Sequence, residues 1–119
     1  MNARETLAAY GERINAHDFD LLTDLLSPDV TFWFSDGTHR GIAAARQAFE
    51  RTWAAFGDDE HYWLDRIEWI AEGDTGAACT YRYNWRSGDQ SGSGRGTTVL
   101  ALTSAGWRIV HEHLSRDPA

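Results

Sequence analysis

The chain has 119 residues, is 42% hydrophobic, and carries 18 acidic against 11 basic side chains for a net charge of -7. That length suits one domain, spanning 1–119, with a single core, and the apolar content excludes a disordered chain. The acidic balance removes the phosphate attraction that drives nucleic-acid binding, so no nucleic-acid partner is expected.

No long apolar run occurs, and the N-terminal stretch MNARETLAAYGERI lacks the charged-then-apolar layout of a signal peptide. No membrane partner and a cytoplasmic location are therefore expected. From Ala3 to Ala16, the apolar positions Ala3, Leu7, Tyr10 and Ile14 recur at the period of one helical face, predicting an amphipathic helix. Asp18 can cap a second, short helix with Phe19, Leu22 and Leu26 on its face, stopped by Ser27-Pro28. Val30 to Phe34 reads as a strand, and Asp36-Gly37 as the turn into a short return strand through Thr38 to Arg40.

Ile42 to Phe56 is the third helix, with Ile42, Ala45, Phe49, Trp53 and Phe56 along one face and Gly57 as its stop. Beyond it the period becomes two, and turn signals at Glu72 to Gly76, Ser87 to Gly96 and Ser104 to Gly106 divide the rest into four strands. Ser87 to Gly96, with four Gly and three Ser, reads as a flexible hairpin tip or a mobile lid. Helices at one end and strands at the other predict an α+β fold on an antiparallel sheet.

The single Cys79, in an apolar run, reads as a small core residue. All 11 basic residues are Arg, so a Schiff-base lysine is ruled out. Asp36 and Asp65 are available carboxylates, in a turn and in a charged stretch. Arg82 and Arg86 could meet an anion or face solvent. Six Trp exceed what so small a core needs, which points to a cavity wall or a subunit interface.

In the last strand, strict alternation puts Trp107, Ile109, His111, His113 and Ser115 on one face and Arg108, Val110, Glu112 and Leu114 on the other. With its aromatic start in the core, that first stripe is expected to bring His111 and His113 into a cavity. Three readings of the pair stand open. They could ligate a metal, with a third ligand from His39, His61 or Asp65. One could be a general acid or base. Both could be structural, bonded to Ser115, to backbone, or to cross-strand partners such as Tyr81 or Tyr83, and only shape the pocket. No metal and no cofactor is expected.

The run Tyr10 to Asp20, with its corner Asn15-Ala16-His17-Asp18-Phe19-Asp20, and the closing Trp107 to Ser115 strand, with the order of elements, resemble the nuclear transport factor 2-like superfamily. That group includes ketosteroid isomerase, SnoaL-like cyclases and the calcium/calmodulin-dependent kinase II association domain. The resemblance implies a cone-shaped curved antiparallel sheet with three N-terminal helices enclosing a pocket, and a homodimer packed through its sheets. It implies that Tyr10 matches the isomerase's oxyanion-hole tyrosine. The isomerase's base falls on Phe34 and its protonated aspartate near Thr98, so that mechanism loses both carboxyls. Thr98 also stands where the kinase domain has a pocket arginine.

The expected function is binding of a small apolar or aromatic molecule, with isomerase, cyclase or dehydratase chemistry. His113 or His111 would transfer the proton, Tyr10 would donate to an oxyanion, and Trp33, Phe34, Trp53, Tyr83 and Thr98 would shape the pocket. The alternative is a non-catalytic association or ligand-sensing module whose dimer contact includes Val110 and Leu114.

Overall fold

The structure, a computed structural model, describes residues 1–118. Helix α1 (Ala3–Arg13) starts in a capping box: Asn2 Oδ1 accepts the Glu5 N–H at 2.8 Å, and Glu5 Oε1 accepts the Asn2 N–H at 2.9 Å. Two of the helix's orphan donors are thereby satisfied. Leu7 and Tyr10 turn inward, as their spacing predicts.

The expected second helix is a chain of short 3₁₀ turns, Ile14–Ala16, Phe19–Leu21 and Thr23–Leu25. A short segment rich in Asp and Thr lets side chains bond nearby backbone in place of a regular helix. Asp18, for one, accepts from the Asp20 N–H at 3.1 Å. Strand β1 (Leu26–Phe34) turns through Ser35-Asp36 into β2 (Gly37–Arg40), with Gly37 at φ +143°. Helix α2 (Gly41–Phe56) buries Ala45, Ala48, Phe49 and Trp53, and ends at Gly57, whose φ of +88° only glycine adopts freely.

Strands β3 (His61–Glu72), β4 (Gly76–Ser87), β5 (Gln90–Thr103) and β6 (Gly106–Arg116) form an antiparallel meander. The fold is α+β, with a curved, unclosed six-stranded sheet in the order β2-β1-β6-β5-β4-β3. One pairing departs from the antiparallel expectation: β1 runs parallel to β6. A parallel neighbour needs a long crossover, and here everything between the two strands supplies it. No helix among the described residues is long and apolar enough to cross a membrane.

The Ser87 to Gly96 segment is corrected by the structure. Its turn is only Gly88-Asp89, and Gln90 onward is strand in register with β4. The glycines make that pairing possible. Gly92, Gly94 and Gly96 face Trp85, Tyr83 and Tyr81 across the ladder, and those rings lie over the bare backbone. A Cβ on Gly92 would meet the Trp85 ring nitrogen at 2.5 Å, and one on Gly94 would meet the Tyr83 ring at 2.5 Å.

The core lies between the helices and one face of the sheet, around Tyr10, Phe19, Leu22, Phe32, Leu100 and Ile109. Cys79 belongs to a core cluster with Leu7, Tyr81 and Tyr83, and burial pushes its thiol up to about 11.

Candidate functional site

A cavity of about 640 Å³ opens between α1, α2 and the inner sheet face. Helix α2 contributes Phe49, Trp53 and Phe56, β1 contributes Phe34, and Tyr62, Tyr83 and Trp85 come from β3 and β4. A smaller hollow of about 300 Å³, between α1 and β3, has no Asp or Glu among its described lining residues.

Where β6 meets the cavity, the alternation expected of it breaks. Leu100 pairs with Ile109, but Val99 pairs with His111, leaving Val110 as an unpaired bulge residue. One extra residue reverses the phase of every side chain beyond it. Trp107 and Ile109 therefore pack in the core as expected, whereas Glu112 and Leu114 reach the cavity.

The expectation that His111 and His113 line the cavity is corrected by this bulge. Both rings lie on the outer sheet face, edge-on to Trp33 at centroid distances of 4.9 and 5.5 Å. Thr31 Oγ1 lies 2.6 Å from His111 Nδ1. Burial, then the neighbouring His113, pushes the His111 imidazole below its ordinary value. Trp33 is on that outer face too, 50% exposed, and so is not part of the cavity. Among the described residues no three His, Cys, Asp or Glu side chains are grouped to hold a metal.

Tyr10, Phe34, Trp53 and Tyr83 do meet at the cavity. Thr98 is fully buried beside it, and its hydroxyl lies 2.7 Å from the Tyr81 hydroxyl. The residue that sequence reasoning missed is Glu112, 1% exposed. Tyr10 donates to its Oε2 at 2.8 Å and Tyr81 to its Oε1 at 2.9 Å. Since Tyr81 gives its proton to Glu112, Thr98 donates to Tyr81, making a chain of hydroxyls that ends on the carboxylate.

Two effects oppose each other at Glu112. Burial disfavours the charged form, and the tyrosine hydrogen bonds favour it. Burial wins, and the carboxyl is pushed up to about 7. The result is a cavity-facing group that exchanges a proton near neutral pH, as proton-transfer chemistry requires. Tyr62, on the same wall, has its hydroxyl held well above its ordinary value by burial and then by Glu112.

The Asn15 to Asp20 corner fixes the other wall. Asn15 clamps the start of β3, its Oδ1 accepting the Tyr62 N–H at 2.8 Å and its amide donating to the Tyr62 carbonyl at 2.9 Å. His17 adopts a left-handed φ of 53° and stacks on Trp53 at 5.2 Å. Its Nε2 lies 3.6 Å from Oε1 of Glu60, a cavity carboxyl that is 8% exposed.

The other candidates sit in ion pairs or in solvent. Asp36, at the cavity rim, is bound by His39 at 2.9 Å and Arg51 at 3.4 Å, which hold it below its ordinary value. Asp65 is exposed. Arg82 is paired with Asp117 at 2.6 Å, and Arg86 lies over the Trp63 ring.

The geometry has solved counterparts. A nuclear transport factor 2-like superfamily protein from Salmonella enterica is similar at a TM-score of 0.84 and 25% identity, over 97% of this chain and 88% of its own. A protein of unknown function with a cystatin-like fold from Nostoc punctiforme is similar at 0.84 and 13% identity, over 98% and 89%. A protein provisionally named a dehydratase of the NTF2-like family, from Streptomyces avermitilis, is similar at 0.83 and 20% identity, over 99% and 95%. No curated protein matches the chain. The family model of the SnoaL-like domain matches residues 7–112, nearly the whole sheet and both helices. The chain therefore belongs to the SnoaL-like family of the nuclear transport factor 2-like superfamily.

Proposed function

We propose that this chain binds a small, largely apolar or aromatic molecule in the cavity and moves a proton on it, as an isomerase, cyclase or dehydratase does. Glu112 is the proton-transfer group. Tyr10, which the resemblance would make a donor to the ligand, instead gives its proton to Glu112 and so positions that carboxyl.

One observation carries the reading: a fully buried carboxyl, held by tyrosine hydroxyls, at the wall of an aromatic cavity. Such a wall binds apolar ligands by excluding water, and a few polar groups then set their orientation. The Streptomyces avermitilis relative, provisionally named a dehydratase, agrees in reaction class.

The test uses a generic proton-transfer probe, 5-nitrobenzisoxazole. Its C3 proton passes to a base as the N–O bond breaks, releasing a coloured cyanophenolate. Turnover by the wild-type chain is expected to rise as pH passes through about 7, where Glu112 loses its proton. Glu112→Gln should lower kcat/KM by about 10²-fold, the usual contribution of a positioned base. Equal turnover by the variant and the wild type would remove Glu112 from this role.

The chain is also proposed to form a homodimer through the outer sheet face. Trp33 presents a half-exposed indole there, flanked by two imidazoles, and large exposed aromatics favour interfaces.

A further inference from the structure

The charged side chains on the cavity wall are Asp36, Glu60, Glu112, Asp117 and, as the one cation among the described lining residues, Arg116. Three of these carboxyls are already answered. Asp36 is bound by His39 and Arg51, Asp117 by Arg82 at 2.6 Å and Ser93 at 2.9 Å, and Glu112 by Tyr10 and Tyr81.

Glu60 is answered only loosely. It is 8% exposed, and its ion pair with His17, Nε2 to Oε1 at 3.6 Å, is longer than a hydrogen bond. His17 Nε2, at that distance, makes no hydrogen bond with any described residue. A buried carboxyl whose one ion-pair partner is so distant either keeps its proton or takes a closer partner from elsewhere. Burial does raise Glu60 from its ordinary value, with His17 pulling the other way. The rings of Trp53, Phe56 and Tyr62 share its wall, and the faces of such rings attract a cation.

We infer that Glu60 is the recognition point for a positively charged nitrogen, so that the ligand of this cavity is an amine-bearing aromatic or polycyclic molecule. The inference rests on the reading of the cavity as a ligand site and adds the ligand's charge and polar group. An ammonium supplies donors and the opposite charge together, whereas a hydroxyl supplies one neutral hydrogen bond. An anionic ligand would find one guanidinium, Arg116, to answer it among the described lining residues. The field of a chain with a net charge of -7 also draws cations.

The test compares three probes that differ in one substituent: 2-naphthylmethylamine, 2-naphthylmethanol and 2-methylnaphthalene. Each is titrated at neutral pH by calorimetry, against the wild type and against Glu60→Gln. In the wild type the amine should bind at least about tenfold tighter than the other two. In the variant that advantage should shrink to about twofold or less, while 2-methylnaphthalene binds as in the wild type.

If the hydrocarbon binds the wild type and the amine gains nothing over it, or if the alcohol matches the amine, the charge assignment is overturned and the cavity reading stands. A preference for the amine that persists in Glu60→Gln overturns the role of Glu60. If none of the three binds the wild type, the cavity reading falls and this inference with it. The wild-type comparison decides the ligand class even if the variant does not fold.

Discussion

A carboxyl removed from water keeps its proton unless donors replace the hydration it has lost. Glu112 has been given two tyrosine donors and still sits at about 7 against an ordinary 4.5. Folding therefore tightens its hold on the proton. That difference contributes fully below about 4.5, where folded and unfolded chains are both protonated, and is lost as pH rises through 7. A change of this size corresponds to about 3 kcal/mol. Urea unfolding of the wild type and Glu112→Gln across that range should show the wild type losing about that much relative to the variant, and parallel curves would mean that Glu112 does not titrate in the window. Tyr10→Phe removes one donor to the ionised form. It should move the Glu112 transition to higher pH, read in the same titration, and cost about 1–3 kcal/mol above it, where a charged acceptor is left short of a partner.

At the scale of the element, the cavity depends on two irregular strands. On β5, Gly92, Gly94 and Gly96 leave room for the rings of Trp85, Tyr83 and Tyr81. Gly94→Ala would press a methyl group against the Tyr83 ring and the Ser115 carbonyl. It should lower stability by about 1–3 kcal/mol, as overpacking does, measured by thermal melting; an unchanged Tm would show that the rings can shift freely. This device was hidden in the sequence, because Gly-Ser-Gly-Arg-Gly has the composition of a loop, and only the facing aromatics make it a strand. The bulge at Val110 was hidden for a related reason. Period-two reading assumes unbroken pairing, so it put the imidazoles inside and Glu112 outside. A clue was present: Ile109 and Leu114 are both apolar and five apart, and strict alternation cannot turn both inward. By contrast α1, α2 and the first hairpin were legible, since each is set by local spacing and local turn chemistry. Tyr10, Phe34, Trp53 and Tyr83 line the cavity; Tyr10 and Phe34 were singled out by the family resemblance, which local spacing alone would not have supplied.

Across the whole molecule, the pairing of β1 with β6 was the least legible feature, since no local pattern marks a contact between strands some 80 residues apart. It decides what both faces of the sheet present. Inward, it sets Phe32 beside Glu112; outward, it sets Thr31 and Trp33 beside His111 and His113. The outer group combines a half-exposed indole with two imidazoles on alternate positions of one strand. A dimer using this face buries the His111 ring most readily when it is neutral, and burial and the neighbouring His113 already bias it that way. Acidification charges the His111 ring against that face and should weaken association. Sedimentation equilibrium is therefore expected to find a dimer near neutral pH that dissociates toward pH 5. Trp33→Arg should give a monomer at either pH while leaving the melting temperature nearly unchanged, because Trp33 touches the core of its own chain little. A dimer that survives both treatments would be assembled through some other surface, and the outer face of β1 and β6 would then have no part in it.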